Sequence, residues 1–393
     1  APSEMCIRDR YKLLKEVYIM NSYERAREFA KKYVDPIATK IDEEARFPKE
    51  IFDKLGEEGF FKLMIPKELG GDGGTIKDHS QICQGLAESC ATVGLCYMMH
   101  NVALMCILGR GSEELKKKIV GEVINERKFC ALAYSELGTG THFYKPELNI
   151  KHVDGGAVLS GKKSMVTSAE YASYYLVLAP SKKEGEIDNW VVPLGSEGLK
   201  FEMENWHGMG MRGNASCPME LNDVHLDELY KIGEWGSGLD QVFSIVAPFF
   251  ILGLASVYSG LGRAISRAAV EHATARKYPD GSSLANIETV QIHLAKIYNR
   301  VNAAAALTAH AADKAVRGDA DAVVDIIAAR IAASEAAIET SIDAMRVGGG
   351  KAYNKSGPIE RLMRDAYASQ IMAPSVDVLT IWLGKLITDQ PIP

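Results

Sequence analysis

The sequence predicts a multidomain α+β protein built in three consecutive parts: helical, then β, then helical. Three observations carry this. From Ser22 to about Ile124, apolar residues recur at three-and-four spacing, the period of one helix face. At Phe129 the texture changes to short β-branched and aromatic runs separated by turn residues, which indicates a small antiparallel barrel or sandwich. From Leu239 helical periodicity returns and lasts to the end. A chain of 393 residues also exceeds what one hydrophobic core usually supports.

The elements are taken in chain order. Ala1 to Arg10 is charged and joins poorly to the helical pattern after it, so residues 1–21 are set apart as a leader or extraneous segment. The N-terminal helical domain is expected over 22–127. Its first helix runs from Tyr23 to Ala45, with Ala26, Phe29, Ala30, Val34, Ile37 and Ile41 on one face. Phe47-Pro48 breaks it, and Pro48 suits the first turn of the next helix. FFKLMIPKELGGDGG (60–74) is an apolar run leading into a glycine-rich loop, and helices resume at Ile76. The middle domain, 128–228, holds strands in FCALAYS, AVLSGKKSMVT, YYLVLA, NWVVPL, LKFEM and PMELNDVHL, with turns at Asp154-Gly155-Gly156 and Glu197-Gly198. The C-terminal domain, 229–393, carries alanine-rich stretches, Ala304 to Ala312 and Ala328 to Ala337, that allow close helix packing.

Composition excludes several classes. Apolar residues make up 47% and charged residues 24%, as in a soluble globular protein. A net charge of −6 lacks the concentrated positive charge of a nucleic-acid binder. The seven cysteines form no CxxC pair, which reads as reduced thiols in the cytoplasm. Ser89 to Gly109 and Gln241 to Gly262 are long enough to cross a bilayer, but His100, Asn101 and Pro248 interrupt them, so buried helices are expected and no membrane span. The nine histidines are widely spaced with no HExxH, so no metal site is expected. No GxSxG elbow, Walker loop or strand-borne GxGxxG occurs, so a bound dinucleotide is not held in a Rossmann manner.

Five strings then converge. They are LGEEGFFKLMIPKELGGDGG (55–74), SELGTGTH (135–142), LSGKKSMVTS (159–168), WHGMGMRGNASCPMELNDVHL (206–226) and GGGKAYNKSGPIERLMRDA (348–366). In this order, over roughly Ser22 to Lys385, the chain resembles the acyl-CoA dehydrogenase superfamily of FAD enzymes. The resemblance implies an α-helical domain, a central antiparallel β-barrel and a C-terminal four-helix bundle, assembled as a homotetramer. It implies FAD as cofactor, an acyl-CoA thioester as substrate and an electron-transfer flavoprotein as a partner.

The same strings nominate site residues. Gly138 and Gly140 let backbone N–H groups approach an anion, and Ser135 and Thr141 add hydroxyl donors. Read alone, this string is equally an ordinary glycine-rich barrel loop. By resemblance, Ser135, Thr141 and Thr167 fall on flavin or pyrophosphate contacts. Met165 stands where a tryptophan usually stacks on the flavin; a thioether can pack on a ring, and core packing explains a methionine as well. Arg276 matches an arginine that reaches a neighbouring subunit's FAD. Arg346, Gly349 and Gly350 match a turn supporting the adenosine diphosphate, and Ser375 and Asp377 fall on FAD-facing positions. The bland alternative for each arginine is a surface ion pair. Arg212 is a weak binding candidate, a barrel-closing arginine paired with a domain carboxylate.

An acyl-CoA dehydrogenase needs a carboxylate to take the substrate's α-proton. The family places a glutamate after RDA, in a string near YEGTSQI. Counted from Arg364-Asp365-Ala366, that position is Ala373, followed by Pro374. The alternative position, on the first C-terminal helix, is Phe249 or Phe250. Both expected base sites are therefore empty. Asp377, His142 and Tyr134 are the remaining candidates. The expected function is an FAD-dependent acyl-CoA oxidoreductase; the alternatives are a desulfinase-like acyl-CoA flavoenzyme, a flavin monooxygenase and a base-less subunit of a hetero-oligomer.

Overall fold

The computed structural model describes residues 21–392. Of the expected leader, only Asn21 falls within them. Its side chain accepts from the Glu24 amide at 2.9 Å, and Glu24 bonds back to the Asn21 amide, capping the first helix.

The N-terminal part contains α1 (Ser22–Phe29), α2 (Ala38–Glu43), α3 (Lys49–Glu57), α4 (Ile76–Ala87), α5 (Ala91–Arg110) and α6 (Glu113–Glu126). The single helix expected over Tyr23 to Ala45 is broken. A π turn over Ala30–Val34 and a 3-10 turn over Asp35–Ile37 separate α1 from α2. Pro36 explains this, because it has no amide to donate to the preceding turn. Helix α5 is buried over nearly its whole length, which accounts for its apolar composition on every face.

The middle part has eight strands: β1 (Cys130–Ala133), β2 (Asn149–Val153), β3 (Gly156–Val166), β4 (Tyr174–Pro180), β5 (Ile187–Pro193), β6 (Leu199–Phe201), β7 (Cys217–Asp227) and β8 (Lys231–Ile232). They form two four-stranded sheets, ordered β1-β4-β5-β8 and β2-β3-β7-β6. This corrects the expected closed antiparallel barrel. No ladder joins the sheets, and β1 runs parallel to β4, pairing Cys130 with Tyr174. Parallel pairing needs a long crossover, and the loop after β1 with the β2–β3 hairpin supplies it. Where a barrel would continue, the Cys130 amide instead donates to His100 Nδ1 of α5 at 3.0 Å, so a helix covers the sheet edge.

The C-terminal part comprises α7 (Gly238–Gln241), α8 (Ala247–Ala275), α9 (Glu288–Arg317), α10 (Ala322–Tyr353), α11 (Ile359–Ile371) and α12 (Val376–Leu386). Within α10, Gly349 at φ 53° and ψ −145° kinks the backbone. Residues 251–262 of α8 are all buried within this chain, as the apolar stretch led us to expect.

Arg364 on α11 joins the three parts. Its guanidinium donates to both Asp42 oxygens of α2 at 2.8 and 2.5 Å, to Met209 O of the middle part at 2.9 Å, and to Glu360 at 2.6 and 3.1 Å. Next to it, Asp365 accepts from the Met211 amide at 2.6 Å. This is the domain-closing role assigned to Arg212, which makes no ion pair among the described residues; its carbonyl accepts from Trp206 Nε1 at 2.7 Å. Arg364→Met would leave Asp42 and Glu360 without their cation. We expect a loss of about 3–5 kcal/mol in chemical denaturation, which Arg364→Lys does not restore because lysine lacks the planar fork.

Two buried histidines also join the parts. His100 receives the Cys130 amide on Nδ1 and donates from Nε2 to Phe61 O at 2.8 Å. His79 receives Asn101 Nδ2 on Nδ1 at 3.1 Å and donates to Phe249 O at 3.2 Å. Burial pushes both imidazoles down to about 4. The unfolded chain therefore binds protons that the folded chain refuses between about pH 6.5 and pH 4. Stability is complete above this window and falls as pH is lowered through it, by about 3 kcal/mol per histidine. Urea midpoints across the window should show this slope, reduced in His100→Gln.

Candidate active site

One cavity lies where the three parts meet. Its volume is about 420 Å³. Met99 comes from α5, Met165 and Thr167 from the end of β3, Trp206 from the segment before β7, Phe250 from α8, and Tyr367 from α11. A smaller apolar recess of about 60 Å³ adjoins it, walled by Leu132, Phe143, Val246 and Ile251. Met99, Ser135, Met165, Phe250 and Ala373 line both.

Three predicted flavin contacts thus share one wall. The Ser164 amide donates to Ser135 O at 2.8 Å, fixing the end of β1 beside β3. The hydroxyls of Thr167 and Ser216 lie 2.9 Å apart, both buried. Met165 is 58% exposed although its neighbours Ser164 and Val166 are buried, so its thioether faces open space. Ser168, the next residue after Thr167, is fully buried and lines neither cavity.

The loop after β1 is pinned from below. Lys163 forms a fully buried ion pair with Glu136 and donates to Leu178 O at 2.8 Å. Burial pushes the Lys163 ammonium down to about 8, against the opposing pull of Glu136. Glu136 also accepts the Glu147 amide at 2.5 Å, which closes the loop. A Cβ at Gly138 would stand 2.0 Å from Glu147 Oε1, the end of an exposed side chain that can swing aside. Gly140 lies at φ +51° with open space beside it. Gly138, Gly140 and Thr141 do not line the cavity, and Gly140 and Thr141 are exposed.

The predicted residues of the adenosine end lie elsewhere. Arg276 is exposed and sits 5.8 Å from the Tyr278 ring centroid. Arg346 pairs with Asp343 at 3.2 Å, a carboxylate that Arg300 and His293 also hold. Gly349 and Gly350 form the kink of α10, exposed and with nothing within 4 Å of an added Cβ. The Ser375 hydroxyl accepts the Val378 amide at 3.4 Å and so caps α12. Asp377 is exposed in the first turn of that helix, and neither residue lines the cavity.

Both expected base positions, Ala373 and Phe250, line the cavity, and none of the lining residues is a carboxylate or histidine. The other base candidates do not fill the gap. The Tyr134 hydroxyl donates to Asn189 Oδ1 at 2.5 Å, and burial holds the phenol well above its usual range. His142 is exposed, 3.5 Å from the Thr141 hydroxyl. Sequence reasoning missed Arg364 and Tyr367 as cavity residues; both belong to or directly adjoin the RDA string, on the face of α11 that also carries Ala368 and Ile371.

Comparison with known proteins agrees with this architecture. Sequence models of the acyl-CoA dehydrogenase N-terminal, middle and C-terminal domains match residues 21–127, 131–224 and 252–385. The chain is 30% identical to a 3-(aryl)acrylate reductase of Clostridium sporogenes, over 86% of this chain and 90% of that protein. It is also 30% identical to the mitochondrial short-chain specific acyl-CoA dehydrogenase of Bos taurus, over 88% and 84% of the respective chains. The solved structure of butyryl-CoA dehydrogenase from Megasphaera elsdenii superposes with a TM-score of 0.86 at 25% identity, covering 93% of this chain and 97% of that one. With all three domains matched in order, the chain belongs to the acyl-CoA dehydrogenase family.

Proposed function

We propose that this FAD-dependent, acyl-CoA dehydrogenase-like flavoenzyme turns over its acyl-CoA in a cavity that has no carboxylate to take the α-proton. The observation that carries the reading is the shared cavity. It joins Ser135, Met165 and Thr167 to Ala373 and Phe250, the two positions where the base was expected.

The residues present fit a flavin. A slot of this volume with mostly apolar walls and a few hydroxyls suits a planar heterocycle. The exposed Met165 thioether offers a packing surface, and the Thr167 and Ser216 hydroxyls offer polar contacts. The open backbone at Gly140, Gly349 and Gly350 suits phosphate or ribose groups. When bound, FAD supplies the hydride acceptor. Arg276, Arg346, Thr141, Gly138, Ser375 and Asp377 remain proposed contacts at its outer end, in part across a subunit boundary.

The chain's own groups exclude water from the thioester rather than move its proton. Phe250, Met99, Leu132 and Ile251 give the acyl group an apolar environment. The same absence favours one second reading: a turnover of the acyl-CoA that needs no α-base, such as a desulfinase-like reaction. A homotetramer is proposed from the family and from exposed Ile381 and Ile387 near the C-terminal end. An electron-transfer flavoprotein is the proposed acceptor. Six described cysteines, all buried and unpaired, support a cytoplasmic location.

Two measurements test this. Purified protein should show flavin absorbance or acquire it on adding FAD; a folded protein that does neither contradicts the cofactor assignment. Anaerobic bleaching by a saturated acyl-CoA should be slow, and Ala373→Glu should accelerate it. General-base catalysis contributes about 10²- to 10⁴-fold, and Pro374 should keep the gain below that ceiling through small misplacement. Fast bleaching by the native protein would show that another residue serves as base.

A further inference from the structure

A second cavity, of about 350 Å³, lies between the Asp35 turn and the end of α4 on one side and α8 and α11 on the other. It shares no lining residue with the candidate active site. At its buried end stands Arg361, only 8% exposed. This guanidinium makes no hydrogen bond or ion pair among the described residues, and its Nε is buried without a partner. A buried cation left unsatisfied is costly, and such groups are ordinarily paired. The carboxylate one turn away, Asp365, balances charge but is hydrogen-bonded to the Met211 amide.

The neighbouring charges are differently placed. Glu88 is already engaged by Tyr23 at 2.6 Å and by Arg267 at 2.7 Å, and Arg267 spends its second nitrogen on Glu88 O at 2.7 Å. Arg361 therefore offers guanidinium donors not spent on any protein acceptor. At the rim, Asp35 and Glu271 are exposed and have no cation partner among the described residues. The layout is a buried guanidinium inside, its charge balanced by Asp365 but its donors without a hydrogen-bond partner, and two carboxylates without a cation partner outside.

We propose that this cavity binds a small ammonium-carboxylate, of the α-amino acid class. Its carboxylate lies on the Arg361 fork, the strongest geometry available to a guanidinium. Its ammonium faces Asp35 and Glu271. Phosphate and polycarboxylates are disfavoured by those two acids, and a simple amine leaves Arg361 unsatisfied.

The test is isothermal titration calorimetry on the full, FAD-loaded chain. The probes are individual L-amino acids, with acetate, methylammonium and inorganic phosphate as partial mimics. At least one amino acid should bind, acetate more weakly, and methylammonium and phosphate not measurably. Arg361→Gln should weaken binding about tenfold or more, the loss expected for a hydrogen bond to a charged group. Ala268→Leu crowds the same cavity and keeps the guanidinium. It should abolish binding while flavin absorbance stays unchanged, so it decides the matter if Arg361→Gln fails to fold. Absence of heat from every amino acid, binding unaffected by Ala268→Leu, or phosphate binding as tightly as an amino acid would each overturn the proposal.

Discussion

Everything at the candidate active site depends on the Arg364 guanidinium. Its partners are Asp42, 322 residues away in sequence, and Met209, 155 residues away. The bonds fix how the N-terminal helices, the sheets and the C-terminal helices stand against each other. The cavity has walls from all three, so it exists only while that arrangement holds. A buried ion network is a weak source of net stability, because desolvation offsets the attraction. Its value here is geometric: a planar fork shared between two carboxylates and a carbonyl admits one mutual orientation. His79 and His100 add neutral ties of the same kind, and both require a bare Nδ1.

Against that rigid frame, the composition of the cavity is unusual for the chemistry its family name implies. Phe250 and Ala373 are brought to the same cavity, from the start of α8 and the α11–α12 junction. Nearby carboxylates are otherwise engaged. Glu136 is held by Lys163 and the Glu147 amide, Asp365 by the Met211 amide, and Asp377 faces solvent. The cavity keeps an apolar, methionine-bearing lining and holds no carboxylate or imidazole.

The helix–sheet–helix order was legible because hydrophobic period differs between the parts. The pairing of β1 with β4 was not, since a fully buried run such as YYLVLA has no alternation to reveal its direction. Strand β2 was missed because NIKHV carries polar residues on both faces, and β8 because two residues carry no pattern. Ser135, Met165, Thr167 and Ala373 were legible through their strings, and the cavity does gather them. Asp377 and Ser375 were legible as neighbours of that position, but the turn that starts α12 takes them out of the cavity. The role of Arg364 could not be read, because its partners are distant in sequence and an arginine on a helix is ordinarily a surface ion.

The most direct measurement is deuterium incorporation at the α-carbon of a bound, non-oxidisable acyl-CoA thioester analogue in D2O, followed by mass spectrometry. A cavity without a positioned base should leave the α-hydrogens at their uncatalysed exchange rate in the native protein, with exchange appearing in Ala373→Glu. Rapid exchange by the native protein at neutral pH would contradict the account, because it would require a base at the α-carbon that this cavity does not contain.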